Sequence, residues 1–246
     1  RVKIEDVIKQ VMIDNYKTRI IEKDGSGCKV MLQEWRVDDL KLVFDVLSMV
    51  PGALDPCVEL VLNYCRSQGY EIVKDKDMEE KPLEMVEKTI KLKEAYDDLL
   101  DRAFSSKKEV GSKEERIRSP AFSKAVKTAF DDVVNANEKF PEYLSLYVDS
   151  KLKKGKTQIL ETEFDILFDQ VIGLFRHLRE KDIFETYYKK HLAKRLLSQR
   201  SQSDEAEKSF ITKLKTEFGY QFTSKLEGMF TDMRVSRETM ESYKVY

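Results

Sequence analysis

Apolar residues recur along this chain at spacings of three and four, the period of a helix with one buried face. From Val2 to about Asp24 the stripe is Ile4, Val7, Ile8, Val11, Met12 and Tyr16, and Gly25-Ser-Gly27 interrupts it. Leu32 to Trp35 is too short to assign. Asp38 to Met49 places Leu40, Val43, Phe44 and Leu47 on one face, and Pro51-Gly52 ends it. Asp55-Pro56 reads as a cap followed by a first-turn proline, opening a helix through Val58, Val61 and Cys65 that Gly69 closes. Lys74 to Lys81 reads as a charged connector. From Pro82 a long helix carries Met85, Val86, Ile90, Tyr96, Leu99, Leu100 and Phe104.

Ser105 to Arg118 is polar, without apolar periodicity, and is the best linker candidate. Beyond it, Ser119-Pro120 restarts a helix. Pro141 starts another, which ends near Gly155. Thr162, three residues before Asp165, predicts a capping box ahead of Phe164, Phe168, Val171 and Phe175. Asp182 is expected to cap the helix of Phe184, Tyr188, Leu192 and Leu196. Ser203 or Asp204 caps a helix from Ala206 to about Phe218, and Gly219 stops it. Phe222 to Met233 is again helical, with Ser236 expected to cap a final helix. No strand pattern of convincing length occurs, so the expectation is an all-α fold of helices joined by short turns.

Composition narrows the classes. The 246 residues suffice for one large or two smaller domains. Absence of an initial Met, and a stop at Tyr246 inside an apolar-polar pattern, read as a segment of a longer protein. Charged residues are 36% of the chain yet the net charge is −1, without the basic surplus usual in nucleic-acid binders. No apolar run is long enough to span a bilayer and no membrane-surface pattern is evident. Three widely spaced cysteines, Cys28, Cys57 and Cys65, suggest free thiols in a reducing compartment.

Candidate chemistry is sparse. His177 and His191 fall in separate helices, and no Cys or His has zinc-finger spacing, so neither metal nor cofactor is expected. Gly25-Ser-Gly27 begins like a dinucleotide loop, but Val30 stands where the third glycine belongs. Carboxylates such as Asp131-Asp132 and Glu161, Glu163 and Asp165 read as solvated helix faces. One cluster stands out: Lys189, Lys190, Lys194, Arg195 and Arg200. It admits a solvated face opposite a core face, a docking patch for an acidic partner, or a nucleic-acid or import-type surface.

Several ordered segments together resemble one family. Phe184-Glu-Thr-Tyr-Tyr-Lys-Lys-His-Leu-Ala-Lys-Arg-Leu-Leu197, then Ser203-Asp-Glu-Ala-Glu-Lys208, then Phe222-Thr-Ser-Lys-Leu-Glu-Gly-Met-Phe230 resemble the cullins, scaffolds of multisubunit ubiquitin ligases. Upstream, Pro141-Glu-Tyr-Leu-Ser-Leu146 and Lys151-Leu-Lys-Lys-Gly155 look most like the cullin-3 type, which binds BTB-type substrate adaptors. Earlier still, Gly25-Ser-Gly-Cys28 and the stretch from Asp39 to Gly52 are similar to the last helical repeat of the cullin stalk. The resemblance implies the end of a helical stalk in residues 1–118. A four-helix-bundle region leading into the cullin homology domain would then occupy 119–246. It implies packing roles for Phe184, Tyr188, Leu192 and Leu196, and for Phe222, Leu226, Met229 and Phe230.

By the same resemblance the chain is a non-catalytic scaffold with no cofactor, located in cytoplasm and nucleus and bound to neither nucleic acid nor membrane. A RING-box protein would bind beyond Tyr246 and a BTB-type adaptor before Arg1, with cullin exchange or regulatory factors as further partners. The modifier-accepting lysine would lie outside the chain. A rod of packed helices at about 1.5 Å per residue would hold substrate and loaded enzyme at a fixed separation.

Overall fold

A computed structural model describes Val7, Val11 and residues 19–110, 113–155 and 160–244 of the chain. Val7 and Val11 are helical; the rest of the stripe expected before residue 19 lies outside the described residues. The chain divides into two compact units. The first is Arg1–Asp75 with Lys91–Ala136, and the second is Lys76–Ile90 with Asn137–Tyr246.

In the first unit, helix α1 spans Cys28–Gln33, α2 Val37–Leu47 and α3 Asp55–Val73. Asp55 lies inside the first turn of α3, behind Leu54 as the N-cap residue, so it favours the helix through the dipole and makes no side-chain cap. Gly69 does not end α3. The helix runs on to Val73 because Gly69 is a packing position: a Cβ there would stand 2.3 Å from Val133 Cγ2. Only a residue without a side chain lets this backbone approach helix α6, Pro120–Val134, so closely. The α3–α6 contact is the most extensive between helices of this unit. The Arg66 guanidinium donates to Asp132 at 2.6 Å across its edge.

Helix α4 is Lys76–Glu79, a single turn within the expected connector, and α5 is Pro82–Arg102. Residues 91–102 of α5 bring Tyr96 and Leu99 into the first core, where both are fully buried. The Tyr96 hydroxyl donates to Gln68 Oε1 at 2.7 Å, satisfying its one polar atom. Phe104 stacks on Phe122 with centroids 3.9 Å apart, and Phe44 meets both edge-on. The expected linker is not irregular. Residues Ser105–Val110 (β1) and Lys113–Arg118 (β2) form an antiparallel hairpin within the first unit. Its sequence has no apolar alternation, and Arg118 ties it to Asp101 and Asp97 on α5. All three cysteines are buried and free, with the Cys28 and Cys57 sulfurs 3.5 Å apart.

The second unit holds residues 76–90 and helices α7 (Phe140–Leu152), α8 (Glu161–Phe175), α9 (Lys181–Leu197), α10 (Asp204–Phe218) and α11 (Tyr220–Lys244). Its core contains a line of rings: Phe168 to Phe210 at 4.9 Å, Phe210 to Tyr188 at 5.3 Å, Tyr188 to Phe184 at 5.7 Å and Phe184 to Phe175 at 4.7 Å. Each such ring contributes about 1.5–3 kcal/mol by leaving water. The expected caps fare unevenly. Ser203 Oγ accepts from the Ala206 amide at 3.2 Å, as the sequence predicts. Gly219 follows α10 at φ +86° and ψ 169°, a conformation essentially reserved for glycine. Thr162 and Asp182 lie inside their helices. The start of α8 is capped by Glu163, whose carboxylate accepts from the Leu160 amide at 3.1 Å. Ser236 caps nothing; α11 runs unbroken through it.

Among the described residues the architecture is all-α apart from one small hairpin. Among the described residues no helix is long and apolar enough to cross a membrane. Nor, among them, does any group of three or more His, Cys, Asp or Glu side chains gather to hold a metal ion.

Candidate functional site

Helix α9 carries Lys189, Lys190, Lys194 and Arg195 of the basic cluster, with Arg200 just after its end, and its register decides which of the four reach the surface. Phe184, Tyr188, Leu192 and Leu196 are buried, so the helix turns one apolar stripe inward. Arg195 sits seven positions after Tyr188 and three after Leu192, on the same stripe. Its side chain is 2% exposed, which removes it from the surface cluster. Lys190, Lys194 and Arg200 are exposed and Lys189 is half-buried.

Arg195 is held by carboxylates from two other helices. Its Nε donates to Glu207 Oε1 at 2.7 Å and its Nη2 to Glu207 Oε2 at 2.8 Å, a two-pronged pairing of guanidinium and carboxylate. Nη1 donates to Asp149 Oδ1 on α7. Glu207, on α10, has no exposed side-chain surface and also accepts from Ser201 Oγ at 2.7 Å. Burial works against the charge on Arg195. The hydrogen bonds and charge of Glu207 outweigh it, with Tyr188 and Asp149 adding to them, so the guanidinium pKa stays above its ordinary value. Burial pushes the Tyr188 phenol well up, and the Glu207 charge adds to it. The ion pair therefore fixes α7, α9 and α10 together.

The α9–α10 connection is tied down as well. Gln199 takes φ +54°, Lys154 N donates to the Arg200 carbonyl at 2.7 Å, and Gln202 N donates to the Leu152 carbonyl at 2.8 Å. His191 Nδ1 lies 3.7 Å from Asp149 Oδ2. Its pKa is lowered, chiefly by burial, against the opposing charge of Asp149.

On the outer side, Lys189 and Lys190 border an open groove between α9 and α11. Lys225 of α11 joins them there, opposite Asp182 and Glu185, with Ala193 and Met229 in the lining. Lys190 also lies over the Tyr187 ring, 5.4 Å from its centroid. Lys194 and Arg200 do not line this groove. The surface cluster is thus Lys189, Lys190 and Lys225, with Lys194 and Arg200 apart from it.

Sequence reasoning missed Glu207, Asp149 and Lys225. A signal existed for the first. Glu207, Phe210, Ile211 and Leu214 share one helical stripe, so α10 also carries a charge at a core position, as α9 does with Arg195. Of the packing roles implied by resemblance, Phe184, Tyr188, Leu192, Leu196 and Leu226 are buried, while Phe222, Met229 and Phe230 are half-buried.

Comparison with known proteins gives this arrangement a family. The cullin alpha solenoid domain pattern matches residues 1–240. Cullin-3 of Dictyostelium discoideum is 41% identical over 244 residues, covering 99% of this chain and 30% of that protein. Cullin-3A of Arabidopsis thaliana is 39% identical over 241 residues, 98% of this chain and 31% of that protein. Cullin-3 of Caenorhabditis elegans is 35% identical over 237 residues, 94% of this chain and 29% of that protein. The chain thus spans about three-tenths of the length of these relatives. With the solenoid pattern running through both units, the chain belongs to the cullin family, and within it is similar to the cullin-3 members.

Proposed function

We propose that this chain is a non-catalytic scaffold segment of a cullin-RING ubiquitin ligase. It holds a substrate-adaptor end and a RING end at a set separation, in cytoplasm and nucleus. The observation that carries the reading is membership of the cullin family over nearly the whole chain. The packing supports it. In the second unit, α7, α9 and α10 are joined by a buried charge network as well as apolar contacts, and such a joint resists bending. A scaffold acts by raising the effective concentration of substrate at the transfer site, which needs stiffness and no reacting side chain.

The partners implied are a RING-box protein, bound through sequence beyond Tyr246, and a BTB-type adaptor, bound through sequence before Arg1. Lys189, Lys190 and Lys225 on the α9–α11 groove offer a docking surface for an acidic partner segment. The test is co-elution. The chain, extended past Tyr246 as in its relatives, is mixed with a purified RING-box subunit and run on a sizing column. A stable one-to-one complex is expected. A folded extended chain that elutes alone would remove the ligase reading and leave a helical interaction module.

A further inference from the structure

Two of the three buried thiols meet inside the first unit. Cys28 is the first residue of α1, and the turn before it is closed by Gly27 N donating to the Lys23 carbonyl at 2.7 Å. A Cβ on Gly27 would stand 2.5 Å from the Ile21 carbonyl oxygen, so the turn is tight and fixes where Cys28 emerges. Cys57 lies in the first turn of α3, behind Asp55-Pro56. The two sulfurs are 3.5 Å apart although 29 positions separate them in the chain. Their hydrogen bond holds the Cys28 thiol below its ordinary pKa, against the opposing effect of burial; the same contact and burial push Cys57 far up. A cavity of about 10 Å³ lies beside them, walled by Leu40, Phe44 and Val61. Packed interiors leave few such gaps, and this one gives the sulfurs room to shift. Cys65, the third thiol, follows Cys57 on the same helix, about 12 Å along its axis. Burial pushes its pKa up to about 12.

We propose that Cys28 and Cys57 are an oxidation site, a dithiol that hydrogen peroxide converts to a disulfide tying α1 to α3. Their exposures are 2% and 5%, so a small oxidant is the reagent the site admits. The Cys28 thiolate attacks one peroxide oxygen. An S–O bond forms as the O–O bond breaks, and the departing hydroxide takes up the proton that Cys28 gave up. The Cys57 sulfur then attacks the sulfenic sulfur. An S–S bond forms, the S–O bond breaks, and the hydroxide leaves as water with the Cys57 proton. The sulfur pair loses two electrons, and the peroxide is reduced to two waters. A disulfide needs sulfurs about 2.05 Å apart, so the pair closes by about 1.5 Å. Cys65 does not compete for Cys57 while α3 is helical, because no disulfide spans about 12 Å. In a reducing compartment such a bond is transient, formed under oxidant and removed by thiols, which makes it a redox-responsive link between the two helices.

Peptide mapping tests this. The whole folded chain is exposed to hydrogen peroxide, its remaining thiols are alkylated in urea, and its peptides are weighed without reduction. A linked Cys28–Cys57 pair, lighter by two hydrogens and released by dithiothreitol, is expected, with Cys65 alkylated. The same oxidation carried out in urea is the control, because an unfolded chain closes its shorter loops more readily and favours Cys57–Cys65. In Cys57→Ala the oxidised Cys28 has no partner, and dimedone, which traps sulfenic acids, labels it; in the unaltered chain that label is lost. Circular dichroism checks that the variant is folded, and if it is not, the linked peptide of the unaltered chain decides alone. No label on the folded variant overturns Cys28 as the attacking thiol. Three free thiols after peroxide, a Cys57–Cys65 link from the folded chain, or sulfinic acid on Cys28 beside a free Cys57 overturns the site.

Discussion

The two units join their helices with a different balance of shape and charge. In the first, α3 meets α6 mainly by shape, with the half-buried Arg66–Asp132 pair only at the edge: Gly69 removes its own side chain so that Val133 can fill the space. In the second, α9 meets α7 and α10 through charge as well as apolar packing, with Arg195 buried between Glu207 and Asp149. A shape contact is sensitive to a methyl group and indifferent to pH and salt. A buried ion pair tolerates little loss on either side, because each partner then leaves the other unpaired in a poor solvent. Both joints are rigid, but they fail in different ways.

The largest expected effect breaks the charge joint. Arg195→Met leaves Glu207 buried without its cation and should cost about 3–5 kcal/mol in urea unfolding. Adding Glu207→Leu to that variant should restore part of the loss, since both charges then leave together. A double variant no more stable than Arg195→Met would mean that hydrogen bonds to the other partners, not the pair, hold the joint.

Next comes the shape joint. Gly69→Ala drives a methyl group into Val133 and should cost about 1–3 kcal/mol by overpacking, against about 1 kcal/mol gained in helix propensity. The net loss should shrink when Val133→Ala is present, because the two changes complement each other in volume. Independent, additive losses in the unfolding free energies would contradict the close approach.

A smaller effect tests whether surface charge matters as buried charge does. Arg176 donates to Glu217 through two nitrogens, but its side chain is 57% exposed. Arg176→Ala should cost no more than about 1 kcal/mol, and added salt should reduce the difference. A loss equal to that of Arg195→Met would dissolve the distinction between the two kinds of pair.

The smallest effect is a pH slope. His191 faces Asp149, Glu142, Arg195 and Lys194, and its pKa is lowered in the folded chain, mainly by burial. The unfolded chain then binds the proton more readily, so stability falls as pH drops through the ordinary histidine range near about 6.5. His191→Gln should flatten that part of the stability profile. An unchanged slope would place its origin in another group.

The same contrast explains what could be read from the chain. Helix faces were legible wherever the apolar stripe was continuous, as in Phe184, Tyr188, Leu192 and Leu196. Local signals with local causes were legible too: Ser203 caps α10 and Gly219 stops it. Gly69 was misread because a glycine looks like a helix end when its reason lies 64 positions away, in Val133. Arg195 was misread because charge in sequence means surface by default, and its partners come from two other helices. The strand pair of Ser105–Val110 and Lys113–Arg118 was missed because its sequence carries no apolar alternation, the signal by which a strand is read.

Sequence alone determined the class of this protein: helical period, near-balanced charge and an ordered set of motifs suffice for an all-α member of the cullin family. Those are properties of neighbours in the chain, where spacing and physics coincide. Tertiary structure decided which glycine is a contact and which a stop, which cation is buried, and which lysine of α11 completes the groove on α9. These are set by residues distant in sequence whose desolvation and close packing depend on where each helix lies.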